Sequence, residues 1–211
     1  MSVRETRAVI SGGTTGLSTW TAGQCLARWL DSRPDLISGK TVLELGAGAG
    51  LTGIFALKRW RGEISQYTFT DSHGKVVDNL KHNLTCNLED WRIEEWGEEV
   101  LQLENDEDRT VASVRLLDWE TFSETEEVEA DLILGADIVF DPSLLTSLVR
   151  TLQILLTRRR SEAILACCVR NEDTFALFES LVTEQGLSFA KEAMRETQCD
   201  SPVYLVTISM A

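Results

Sequence analysis

Along most of this chain, short apolar runs that stop at glycine or at an acidic residue alternate with stretches of helical periodicity. That alternation leaves few folds open. The first run, Lys40 to Leu45, ends in glycines, and Leu51, Ile54, Phe55 and Leu57 then share one face of a helix expected over Leu51 to Trp60. A strand from Gln66 to Thr70 stops at Asp71, and a helix from about Lys75 to Asn87 follows, striped by Val76, Val77, Leu80 and Leu84. Strands are expected over Val111 to Leu117, Ala130 to Ala136 and Ala163 to Val169, and helices over Ser143 to Leu156 and Glu172 to Gln185, the latter closed by Gly186. The last two strands, Leu187 to Ala193 and Val203 to Met210, are separated by nine residues. A parallel crossover needs a dozen or more, so this pair must turn back on itself as a hairpin.

The expected fold is therefore α/β: a doubly wound seven-stranded sheet of Rossmann-like type with a C-terminal antiparallel hairpin. One domain spans residues 1–211, its first part a short lead at 1–15. The alternation is interrupted only at 88–110. Ten carboxylates face two arginines between Leu88 and Arg109, which suggests a solvated helix or loop inserted between units.

Charge narrows the partners. With 34 acidic against 20 basic residues, the net charge is −14, and a surface of that sign repels phosphate backbones. Nucleic acid is not an expected partner. The triplet Arg158-Arg159-Arg160 is expected to be the solvated end of a helix. Five cysteines without a C-x-x-C pair, two histidines, and no apolar signal segment between Met1 and Gly13 suggest a reducing compartment, the cytoplasm, with no structural metal and no membrane span. A monomer is expected.

The chemistry concentrates where the strands end. Glu44-Leu45-Gly46-Ala47-Gly48-Ala49-Gly50 joins a strand to a helix, so its backbone can approach a ligand at a helix N-terminus. A dinucleotide fingerprint would place its third glycine at position 51, which is leucine. Glu44, two residues before the first glycine, has no use for a pyrophosphate but suits a cationic amino or sulfonium group, as in S-adenosylmethionine. Asp71, 21 residues beyond Gly50, is placed to accept ribose hydroxyls, or else to cap the next helix with Ser72. Asp118-Trp119 offers an acceptor and a stacking face for adenine. Asp137 ends the fourth strand with Phe140 three residues on. That carboxylate can orient an amine, and the ring can lie against its cationic head. The Pro-Pro that adenine-directed amino methyltransferases carry at this place is absent.

Together these residues resemble the seven-β-strand, or class I, protein-lysine methyltransferases, above all the branch that methylates translation elongation factor 2. The stretches that carry the resemblance are Thr15-Gly16-Leu17-Ser18-Thr19-Trp20, Thr41 to Gly53, Leu117-Asp118-Trp119, Ala136-Asp137-Ile138-Val139-Phe140 and Val169-Arg170-Asn171. The resemblance implies cofactor contacts from Trp20, Gly46, Ala47, Gly48, Asp71, Trp119 and Ala136, a lysine channel near Asp137, and elongation factor 2 as protein partner. Phe140 stands where the family pattern has tyrosine. A methyltransferase for small molecules and a cofactor-binding module without turnover remain alternative readings.

Overall fold

The computed structural model describes residues 1–5, 16–17, 19–96, 100–159, 161–194 and 201–211, with backbone alone at 95, 96 and 100. One mixed sheet organises the chain. Its five central strands are parallel: β1 (Thr41–Leu45), β2 (Gln66–Asp71), β5 (Val111–Leu116), β6 (Leu132–Ala136) and β7 (Glu162–Cys168). Both edges are antiparallel. On one side, β9 (Val203–Met210) pairs with β7, and β8 (Leu187–Ala193) pairs with β9, so the expected terminal hairpin is present.

On the other side the acidic insertion departs from expectation. It is neither a solvated helix nor a loop but a hairpin, β3 (Arg92–Trp96) and β4 (Val100–Glu104), which adds two antiparallel strands beside β5. The order is β3-β4-β5-β2-β1-β6-β7-β9-β8, nine strands including all seven expected ones. The hairpin belongs in the sheet because Leu101 and Leu103 alternate with Gln102 and Glu104 and bury their side chains with Ala112 and Val114 of β5. Its charge is taken up locally: Arg92 bonds Glu104 and Asp106, and Arg109 bonds Glu104.

Helices cover both faces. Helices α1 (Thr21–Asp31), α2 (Leu51–Arg59) and α3 (Gly74–Asn87) share a core with Val42, Tyr67, Phe69, Leu132 and Leu134. Helices α4 (Leu145–Arg158) and α5 (Glu172–Glu184) pack on the opposite face with Leu43, Leu45, Ile133 and Leu165. Each parallel strand thus divides its alternating side chains between two apolar layers, which is why these strands appear as unbroken hydrophobic runs. Gly186, at φ +73°, ends α5 as expected. Among the described residues no helix is long and apolar enough to cross a membrane.

Two local features differ from expectation. Arg158 is not a solvated helix end. Its guanidinium donates to the carbonyls of Glu124, Glu126 and Val128, while Arg159 bonds Asp131, so together they hold the connection between β5 and β6. Arg160 lies outside the described residues. On α3, Asn79, Asn83 and Asn87 sit four residues apart and bond the backbone of Ser2 and Arg4. Asn83, 1% exposed, also donates to the carbonyl of Ala49 at 2.9 Å, tying the N-terminal segment to the glycine turn. Asn83→Ala should therefore cost roughly 1–3 kcal/mol of stability, since it strands buried polar groups. Urea unfolding measures this, and a loss below a few tenths of a kcal/mol would show the ladder to be ornamental.

Candidate functional site

The sheet reverses its winding at β1: β2 and β5 are laid down on one side, β6 and β7 on the other. At such a switch point the loops beyond the strands' carboxyl ends part and leave a crevice. A cavity of about 280 Å³ lies there, walled by the residues that follow β1, β2, β5 and β6 and roofed by Gly16, Thr19, Trp20 and Gly23.

The turn after β1 forms the floor. It is fixed to β2 by the Ala47 N–H donating to the Thr70 carbonyl at 2.8 Å and by the Thr70 hydroxyl donating to the Glu44 carbonyl at 2.8 Å. Gly48 has φ +55°, and a Cβ on it would sit 3.1 Å from the Gly16 carbonyl, so roof and floor meet here without room for a side chain. Its N–H donates to Asp71 Oδ2 at 3.2 Å. Gly50 differs from the rest of the motif. It lies outside the cavity lining and opens α2 at φ +87°, against Leu80. Its place in the motif is explained by packing rather than by a position in the cavity.

Of the residues singled out from sequence, Trp20, Glu44, Gly46, Ala47, Gly48, Asp71, Asp118, Trp119, Ala136, Asp137 and Phe140 line this cavity. Asp71 accepts from Gly48 and His73 N–H groups, and burial pushes its carboxyl above the usual range despite those bonds. It does not cap α3. The His73 side chain does, accepting from the Lys75 N–H at 3.3 Å, which leaves Asp71 facing the cavity. Asp137 is 8% exposed at φ +60°, while Phe140 is 49% exposed in the loop after β6. Asp141 caps the short helical turn that follows, its carboxylate accepting from the Ser143 N–H at 2.9 Å.

Partners that spacing along the chain does not reveal complete the picture. The Tyr67 hydroxyl donates to Glu44 Oε2 at 2.9 Å inside the core, and Arg170 forms a two-pronged pair with Asp137, Nη2 to Oδ2 at 2.7 Å. Thr19, Gly23, Thr52 and His73 also line the cavity.

Five carboxylates face this space (Glu44, Asp71, Asp118, Glu120 and Asp137), and the described lining contains no lysine or arginine. Such a wall suits a cationic ligand and repels phosphates. Desolvation raises the Glu44 carboxyl to about 7, only partly offset by hydrogen bonds from Tyr67, Thr52 and Gly53. The folded protein therefore holds a proton on Glu44 that the unfolded chain, with its ordinary value of 4.5, releases. The stability this proton carries is complete below about pH 4.5 and fades as pH rises through 7, a contribution of about 3 kcal/mol. Glu44→Gln keeps an acceptor for Tyr67 and should flatten that slope. Melting temperatures from pH 5 to pH 8 test it, and parallel curves for the two proteins would remove Glu44 as the source.

A glycine turn and ringed carboxylates at the switch point of a doubly wound sheet define the class of protein: a Rossmann-like methyltransferase fold. Among solved structures, a glycopeptide N-methyltransferase, MtfA, complexed with sinefungin, matches with a TM-score of 0.62 at 11% identity over 100% of both chains, a likeness of fold. The chain belongs to the lysine methyltransferase family, whose model matches residues 9–184. It is similar to the protein-lysine N-methyltransferase EEF2KMT of Bos taurus, 35% identical over 192 residues covering 87% of this chain and 56% of that protein. The Homo sapiens EEF2KMT is 34% identical over 206 residues, covering 93% and 58%. The chain thus spans a little over half the length of these curated relatives.

Proposed function

We propose that this chain is an S-adenosylmethionine-dependent protein-lysine N-methyltransferase, that its target is translation elongation factor 2, and that it acts in the cytoplasm as a monomer. The observation that carries the reading is the carboxylate-lined cavity at the sheet's switch point in a chain of the lysine methyltransferase family. The odd cysteine count supports the compartment, and the net charge of −14 supports a protein acceptor over nucleic acid.

The residues fit the cofactor. Backbone from Gly46 to Gly48 can approach it closely, Asp71 can accept ribose hydroxyls, Trp119 can stack on adenine, and Glu44, its carboxyl raised to about 7 by burial, can give up its proton when a cationic group faces it. S-adenosylmethionine supplies an electrophilic methyl on a sulfonium, so the chemistry demands little of a general base. What the protein must provide is a neutral, oriented amine in a partly dry space. Asp137 accepts an N–H of the lysine and fixes its direction. Phe140 gives the channel an aromatic wall without a hydroxyl.

The test is incubation with radiolabelled S-adenosylmethionine and a lysate poor in methylation, with products resolved by gel. A band at the mass of elongation factor 2 is expected. A different band replaces the substrate, and label confined to small molecules overturns the protein acceptor.

A further inference from the structure

Asp137 is held from behind. Its carboxylate, 3% exposed, receives the Cys168 amide N–H at 3.2 Å and Arg170 Nη1 at 3.2 Å on Oδ1, and Arg170 Nη2 at 2.7 Å on Oδ2. The Arg170 guanidinium also lies over Trp20, its Cζ 4.9 Å from the ring centroid. Trp20 and Asp137 both line the cavity, whereas Arg170 stands behind them between β7 and α5, its side chain 44% exposed. One cation thus joins the roof of the cavity to the carboxylate of its wall.

Two consequences follow from elementary chemistry. A carboxylate offers about four acceptor directions, and three are taken here, leaving one on Oδ2 for a further donor. Moreover, a bare carboxylate beside a lysine favours the ammonium, which has no lone pair to attack with. A guanidinium on the carboxylate's other side opposes that bias. The surrounding charges make the opposition necessary. Across the cavity Asp137 shares the space with Glu44 from β1, Asp71 at the end of β2, His73 after it, and Asp118 and Glu120 after β5. The stretch of α1 in the lining carries no charge. On β7, burial and then the negative charge of Asp137 push the Cys167 thiol up, so it stays neutral. Apart from His73, each charge or potential charge that the described residues turn to this space is negative.

We infer that Arg170 is a positioning residue for the transferred amine: it balances Asp137 and, with the Cys168 amide, fills all but one of its acceptor directions, so that the carboxylate orients one amine N–H without stabilising the ammonium. The inference rests on the lysine-transfer reading above.

The experiment measures kcat and KM against pH for the wild type, Arg170→Gln and Arg170→Lys, with elongation factor 2 as acceptor. Arg170→Gln is expected to move the rising limb of kcat up by about one pH unit, giving about tenfold lower turnover near pH 7 that recovers near pH 9. Arg170→Lys keeps the wild-type limb because the charge remains. A loss equal at every pH and unrescued by lysine marks a merely structural role and overturns the inference. A second arm needs no turnover: calorimetry of elongation factor 2 binding to enzyme loaded with S-adenosylhomocysteine, in two buffers of different ionisation enthalpy. Wild type is expected to release more of a proton on binding than Arg170→Gln does, and equal release overturns the inference. A wild type that neither modifies a lysine nor binds the factor removes the lysine reading and this inference with it.

Discussion

Asp137→Asn is expected to lower methyl transfer by about a hundredfold or more, with affinity for S-adenosylmethionine nearly unchanged, as misplacing one reacting group commonly does. Asparagine is the informative replacement because it tolerates the φ of +60° at this position and keeps one acceptor oxygen. What it removes is the negative charge, and with it the strength of the Arg170 pair. Its amide also adds a donor where only acceptors face Cys168 and Arg170. Single-turnover rates report the chemistry, and calorimetry reports the cofactor. Turnover equal to wild type would take Asp137 out of the reaction, and a parallel loss of cofactor affinity would place it in binding instead.

A large change in stability is expected at Gly50. An alanine there would have to hold φ +87°, and its Cβ would meet Leu80 Cδ1 at 2.5 Å and Ile54 Cδ1 at 3.2 Å. Leu80 and Ile54 are wholly buried, so neither can move aside freely. The left-handed backbone costs about 1–2 kcal/mol and overpacking about 1–3 kcal/mol, so Gly50→Ala should lose roughly 2–5 kcal/mol. Against a typical total of about 5–15 kcal/mol, that is a severe loss. Urea denaturation should show the midpoint falling with the slope preserved. Any cofactor binding lost should return in proportion to the folded fraction, because Gly50 lies outside the cavity lining. A stable Gly50→Ala protein unable to bind the cofactor would contradict the packing role.

How much of this was legible in the sequence depends on whether an interaction is local. The parallel strands were legible because a strand covered on both faces must be apolar throughout. The C-terminal hairpin was legible because chain length forbids any other connection. Helix α1 carries a helical stripe in Ala22, Cys25, Leu26 and Leu30 but adjoins the Thr15 to Trp20 motif, which draws attention to its loop and away from its helix. The β3–β4 hairpin was concealed by charge. Its apolar alternation rests on few residues, Leu101 and Leu103 foremost, and the carboxylates around them dominate any reading of composition.

The site divides in the same way. Residues that end strands converge because parallel strands deliver all their carboxyl ends to one edge, so Glu44, Asp71, Trp119 and Asp137 could be named from position alone. The side chains that tune them could not. Tyr67 reaches Glu44 across neighbouring strands, and Arg170 reaches Asp137 from a segment 33 residues away, with nothing in their spacing to pair them. His73 takes over the helix cap that Asp71 could have made, a choice fixed by side-chain geometry. Gly50 belongs to a ligand-binding pattern yet is held by packing against Leu80.

The central claim is that this cavity transfers a methyl group to a lysine. It is tested most directly with purified protein, S-adenosylmethionine and unmethylated elongation factor 2, with tandem mass spectrometry of the product. The expected result is methylation confined to the ε-nitrogen of one lysine, dependent on enzyme and reduced by Asp137→Asn. Methylation of a different residue type, or none from a folded protein that binds the cofactor, would contradict it.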